Sequence, residues 1–133
     1  MMIWKGGILM IYGEKVKLRP IEENDLSLMV QWLNDPEIKH LVVGWDFPKS
    51  LAQQKEWYQN SLNGEKNQRW IIENLDGEVI GLTGLWDIDW HNRQALSGIK
   101  LGRPQDRGKG CGTDTIMTVM AYAFLFRLSI NAQ

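Results

Sequence analysis

Arg107, Gly108, Lys109, Gly110, Cys111, Gly112 and Thr113 form the stretch of this 133-residue chain best suited to chemistry. Glycines at alternate positions let backbone N–H groups converge without side-chain obstruction, which makes a nest for an anion. The segment lies between a strand pattern and a long helical pattern. Such a helix would add its unsatisfied N-terminal donors and the positive end of its dipole. A phosphate or pyrophosphate suits this nest, but two common phosphate loops do not fit it. A Walker loop has four residues between its first glycine and Gly-Lys-Ser/Thr. Here five residues separate Gly102 from Gly108, and Gly110 stands where the magnesium-binding hydroxyl belongs. The dinucleotide fingerprint Gly-x-Gly-x-x-Gly belongs to a parallel βαβ unit. Gly108, Gly110 and Gly112 have a different spacing and follow an antiparallel pattern.

Other groups able to do chemistry are sparse. Asp87 and Asp89 lie near the end of a predicted strand, with His91 in the turn after it. Each aspartate reads either as a general base, acting through water, or as a solvent-facing or turn-capping carboxylate. Trp45 and Asp46 sit in an irregular aromatic loop and read as substrate contacts or as plain packing. Cys111 is the sole cysteine, which excludes an internal disulfide and a Cys-rich zinc site, and we expect no metal.

The elements that must position these groups follow from patterning. Residues 15–19 alternate as a strand. Asn24 or Asp25 caps a helix with Leu26, Met29, Val30 and Leu33 on its apolar face, broken by Asn34, Asp35 and Pro36. Ser50 caps a second helix to about Asn60, with Leu51, Trp57 and Tyr58 partly inward. Three strands, 69–74, 79–89 and 94–101, join through an Asp76-Gly77 turn and a turn at 90–93. A long helix starts near Thr113. The class is α/β or α+β with a mostly antiparallel sheet flanked by helices. Patterning begins at Met10, so residues 1–9 read as a leader or tail, or alternatively as an extra strand, and 10–133 as one domain.

Composition narrows the function. Fifteen Lys and Arg balance sixteen Asp and Glu, a formal charge of −1, which argues against a nucleic-acid binder with a strong overall positive field. The longest apolar run falls far short of the roughly 20 residues of a membrane span, and no signal peptide is recognisable. A cytoplasmic protein is expected.

The loop also fits Gln/Arg-x-x-Gly-x-Gly/Ala, from Arg107 to Gly112, and here the chain resembles the GNAT acyl-CoA N-acyltransferases. The resemblance is to the ribosomal-protein N-acetyltransferase-like (RimJ/RimL-like) branch and runs from about Gly13 to Phe124. Val16 to Ile21, Trp32 to Glu37, Gly81 to Gly84, Ile88 to Ala95 and Gly98 to Pro104 follow the branch in order. It implies an acetyl group passed from acetyl-CoA, a co-substrate, to a primary amine on a small molecule or a protein N-terminus, by direct attack. Residues 107–113 would hold the pyrophosphate. Ile99, Lys100 and Leu101 would offer a strand edge to the pantetheine, with an N–H near Ile99 for the thioester oxygen. Asp87 and Asp89 would serve as base, and Trp45 and Asp46 would border the acceptor.

The chain departs from the family where relatives carry a glutamate before the glycine of the third strand, since Ala95, Leu96 and Ser97 stand there. After the long helix no further strand is recognisable, so the expected fold lacks the C-terminal strands and helix, and Asn131 receives no role. The alternative function is therefore an impaired remnant that binds CoA and self-associates, as a homodimer, through an exposed sheet edge.

Overall fold

In the computed structural model the described residues are 2–5, 8–36, 48–61, 66–125 and 128–132. They fall into two compact units, residues 1–20 with 65–133, and residues 21–64. The first unit is a seven-stranded sheet in sequence order: β1 (Met2–Lys5), β2 (Ile8–Tyr12), β3 (Val16–Pro20), β4 (Gln68–Asn74), β5 (Val79–Asp89), β6 (Gln94–Leu101) and β7 (Ser129–Ala132). Helix α3 (Cys111–Leu125) connects β6 to β7. The second unit holds α1 (Leu26–Asn34) and α2 (Leu51–Ser61).

The meander of β4, β5 and β6 matches the sequence reading closely because its turns are chemically specified. Asn74 Oδ1 accepts from the backbone N–H groups of Asp76 and Glu78, at 3.0 and 2.9 Å. Gly77 then takes φ +82, a conformation that costs glycine little. The first nine residues do contain a strand: β1 pairs antiparallel with β2, Met2 opposite Ile11.

The face of the sheet under α3 carries the main core, and Ile71 is fully buried on the other face. Val16, Leu18, Ile72, Ile80 and Leu85 are fully buried on the α3 side with Val119 and Ala123 of α3. Each such Val, Leu or Ile side chain contributes about 1.5–3 kcal/mol by leaving water. Trp70 meets Tyr122 edge-on at 4.9 Å, and the Tyr122 hydroxyl donates to Gln68 Oε1 at 2.9 Å, tying α3 across β4. Burial raises the Tyr122 phenol above its usual range, against the pull of Gln68.

In the second unit Leu26, Met29 and Trp32 are the buried residues of α1, while Val30 and Leu33 are half-buried. Ser50 caps α2 as expected: its Oγ accepts from Gln53 N at 3.1 Å, and Gln53 Oε1 accepts from Ser50 N at 2.9 Å. Leu51, however, is 42% exposed, and Gln54 is the buried residue of α2. Leu51 and Gln54 share one face of the helix, and Leu51 stands at its exposed end.

One departure matters for the site. The expected absence of a strand after the long helix is corrected by β7, which pairs parallel with the first half of β6, Gln94 opposite Ser129 through Ser97 opposite Ala132. Four residues alternate too briefly to reveal a strand in sequence, and this one needs β6 as its template.

Candidate functional site

Strand β6 is paired differently along its length. β5 runs beside it throughout, whereas β7 covers only residues 94–97. From Gly98 to Leu101 the second edge has no strand partner among the described residues. The direction of its backbone groups follows from register. Leu101 lies opposite Gly81, and the next N–H, of Gly102, donates to Ile80 O at 2.8 Å. Antiparallel alternation then turns the N–H and C=O of Ile99 and Leu101 toward the open edge. Lys100 differs: its carbonyl points at β5, only 2.1 Å from where a Cβ on Gly81 would sit. The expectation that Lys100 offers its backbone to the edge is thus changed, and its side chain projects from the face opposite α3.

The open edge leads into the glycine-rich loop. A 3-10 turn, Pro104–Asp106, is fixed by a two-pronged pair: Arg103 Nε and Nη2 donate to Asp106 at 2.5 and 2.9 Å. Arg103 Nη1 also reaches Glu78 Oε2 at 3.0 Å. These bonds hold the Asp106 carboxyl below, and the Arg103 guanidinium above, their ordinary ranges. Gly108 and Gly110 take φ +76 and +84, and Asp114 N closes the first helical turn on Gly110 O at 3.0 Å. The N–H groups of Cys111, Gly112 and Thr113 are therefore helix-start donors without an intrahelical acceptor. Arg107 and Lys109 are exposed beside them, and Cys111 is buried in the core.

Two residues of this region escaped the sequence reading. Asp114, in the first turn of α3, turns away from the loop and accepts from the backbone N–H groups of Glu14, Lys15 and Val16, at 3.2, 2.8 and 3.1 Å. Its charge is thereby absorbed by the β2–β3 turn instead of opposing an anion in the loop. Gly13 is required by this closeness, since a Cβ there would lie 2.4 Å from Asp114 Oδ2. Lys15 Nζ donates to Lys109 O at 3.0 Å, which brings a third cation to the loop. A groove of about 870 Å³ runs alongside, lined by Tyr12, Lys15, Gly110, Thr113 and Met117 among others. The sequence signal was Gly13 two positions before Lys15, which only the fold connects to residue 114.

The acidic candidates lie at the other end of β5. Asp89 is a turn-capping carboxylate: Asn92 N and Nδ2 donate to its two oxygens at 3.0 and 2.8 Å, which holds its carboxyl below the ordinary range. Asp87 is exposed and sits at a bulge where register shifts, with φ +50. Both line a recess of about 510 Å³ with Lys66, Trp90 and His91. Asp87 is three positions along from Gly84, the partner of Gly98, or about 10 Å of strand. Trp45 and Asp46 lie outside the described residues. No metal-binding group of His, Cys, Asp or Glu side chains occurs among the described residues.

The family model for the acetyltransferase (GNAT) domain matches residues 15–130. The chain belongs to the GNAT acetyltransferase family. Its fold is the GNAT fold, matching spermidine N-acetyltransferase from Vibrio cholerae in complex with CoA and spermine at a TM-score of 0.77 and 25% identity, over 88% of this chain and 69% of that one. This GNAT chain is 31% identical to N-acetyltransferase p20 of Bacillus licheniformis over 86% of its own length, and 28% identical to spermidine N(1)-acetyltransferase of Escherichia coli over 84%. It spans 65% and 59% of those two relatives, under two thirds of each. Among the described residues no helix is long and apolar enough to cross a membrane.

Proposed function

We propose that this chain is an acetyl-CoA-dependent N-acetyltransferase acting on a primary amine. One observation carries the reading: beyond the residues that β7 pairs, the N–H and C=O of Ile99 and Leu101 point away from β5, and the strand leads on to the Gly108–Gly110 nest. In this reading the nest N–H groups, with Arg107, Lys109 and Lys15, hold the pyrophosphate. Ile99 and Leu101 exchange hydrogen bonds with the pantetheine amides. The amine nitrogen attacks the thioester carbonyl, whose developing negative oxygen takes the Ile99 N–H. The carbon–sulfur bond breaks and the thiolate leaves with a proton. An amine has a pKa of about 8 to 10 and must first lose a proton, which passes through water to Asp87. Asp89, with both oxygens engaged, serves the turn and supports Asp87 only indirectly.

The acceptor is an amine in the widest sense supported. Relatives are named for spermidine and, at 27% identity, for aminoglycosides in Klebsiella pneumoniae. The RimJ/RimL-like segments of the sequence keep a protein N-terminus within the proposal. Calorimetric titration with acetyl-CoA, followed by free-thiol release on a panel of amines, tests the reading. Micromolar binding that Gly110→Val weakens is expected, and undetectable binding by the unaltered chain would sink it.

A second reading, a chain that binds CoA and self-associates without turnover, draws support from the open edge at residues 98–101 and from the exposed apolar face of α3, where Met117 and Phe124 are 62% and 80% exposed. Analytical ultracentrifugation alongside the thiol assay separates the two.

A further inference from the structure

The turn between β2 and β3 is held from the first turn of α3, and it carries a lysine to the glycine loop. Asp114 presents both carboxylate oxygens to that turn. Its Oδ1 takes the N–H of Glu14 at 3.2 Å, and its Oδ2 takes those of Lys15 and Val16 at 2.8 and 3.1 Å. Three successive amides on one carboxylate fix the peptide planes of the turn, and an ionised acceptor makes such bonds stronger than neutral ones. Gly13 N donates to Val16 O at 2.9 Å and closes the same turn. The helix in turn fixes the backbone of Asp114, whose N donates to Gly110 O at 3.0 Å and whose O accepts from Thr118 Oγ1 at 2.7 Å. A Cβ on Gly13 would overlap both Asp114 Oδ2 and Thr118 Oγ1, so the turn is seated on the helix with no space for a side chain.

The side chain aimed by this turn is that of Lys15. Its Nζ donates to Lys109 O at 3.0 Å and stands 2.7 Å from where a Cβ on Gly110 would lie. The ammonium therefore rests on the middle of the glycine loop, against the residue whose φ of +84 shapes the nest. An ammonium has three donors, so the bond to Lys109 leaves two for a ligand. Lys15 has no carboxylate partner among the described residues. It is exposed and, with Gly110, lines the groove of about 870 Å³, so a ligand can reach it. A lysine on a loose turn would lose backbone and side-chain freedom on meeting a phosphate. Here much of that ordering is present before any ligand arrives, which favours binding.

We propose that Asp114 is a positioning residue for the coenzyme: acting through residues 13–16, it sets the Lys15 ammonium at the loop to take phosphate charge of acetyl-CoA. This rests on the acetyltransferase reading and adds the residue that aims an arm from outside the glycine segment.

The test is a double-mutant cycle on the full chain. Acetyl-CoA affinity is read by calorimetry in the unaltered protein, Lys15→Met, Asp114→Asn and the two combined. Asp114→Asn puts an amide donor where an oxygen now accepts, so the turn loses at least one bond at constant size. We expect Lys15→Met to weaken acetyl-CoA about tenfold and Asp114→Asn about fivefold, with the double variant within about twofold of Lys15→Met alone. S-acetylpantetheine, which carries the thioester and no phosphate, is the control. Thiol release from it, or its competition with acetyl-CoA if the chain binds without turnover, should change by less than about twofold in every variant. A purely structural role would weaken both thioesters alike. Gly13→Ala displaces the carboxylate from the other side; it should reproduce Asp114→Asn and replaces it if that variant does not fold. Additive losses in the cycle, equal losses on the two thioesters, or an acetyl-CoA affinity unmoved by either single variant each overturn the inference and leave the acetyltransferase reading standing. Absence of acetyl-CoA binding in the unaltered chain overturns both.

Discussion

The two halves of β6 have similar backbones and opposite fates. Residues 94–97 have a strand on each side, and Ala95 is buried in the core. Residues 98–101 keep β5 and have no second strand partner among the described residues, so the amides of Ile99 and Leu101 point away from the ladder. The first half makes structure and the second half is the proposed site, with the division at a glycine opposite another glycine.

The sharpest way to break this comparison is one substitution made in both halves. Ile99→Pro removes only an N–H that points away from β5, so turnover should fall about 100- to 1,000-fold while the fold persists. Ala95→Pro removes an N–H directed at β7 and should unfold or destabilise the chain by about 3 kcal/mol, read by denaturant titration. Equal stability losses at the two positions would refute the distinction.

Next in size is Asp87→Asn, which should lower kcat about 100-fold, read by thiol release at saturating acetyl-CoA and amine. Gly110→Val forces a β-branched residue to φ +84 and should weaken acetyl-CoA binding about tenfold by calorimetry. The Arg103–Asp106 pair gives a smaller, pH-dependent effect. Asp106 is lowered by Arg103, so its contribution is full above the unfolded carboxylate value of about 3.9 and disappears as pH falls through the folded value. Acetyl-CoA affinity should therefore weaken below about pH 4, and Asp106→Asn should flatten that dependence. Least affected is Asp89→Asn: a capping carboxylate away from the open edge should change kcat/KM by less than about twofold.

The same contrast explains what was legible in the sequence. Local chemistry was readable: the Asp76-Gly77 turn, the Ser50 cap, the alternation of β4 to β6 and the glycine nest all lie within short windows. The turn reading of Asp89 was also available, since Asn92 stands three residues on. Features made by register were not readable. β7 is four residues long and depends on β6, and Asp114 reaches a turn nearly a hundred residues earlier. The inward assignment of Leu51 failed for a different reason, because Leu51 stands at the exposed end of its helix.

β7 has a consequence for the order in which this molecule comes together. A meander grows by adding each strand to the one just made, so β3 to β6 need only near neighbours once β4 is in place. A parallel strand needs a crossover, and here it comes only after α3 has formed and docked. On a chain emerging from its N-terminus, the glycine nest and its strand edge exist before the second wall arrives. The pairing of β7 with β6 is thus a late product of folding, and acetyl-CoA should leave early folding rates unchanged while slowing the departure of residues 129–132 during unfolding.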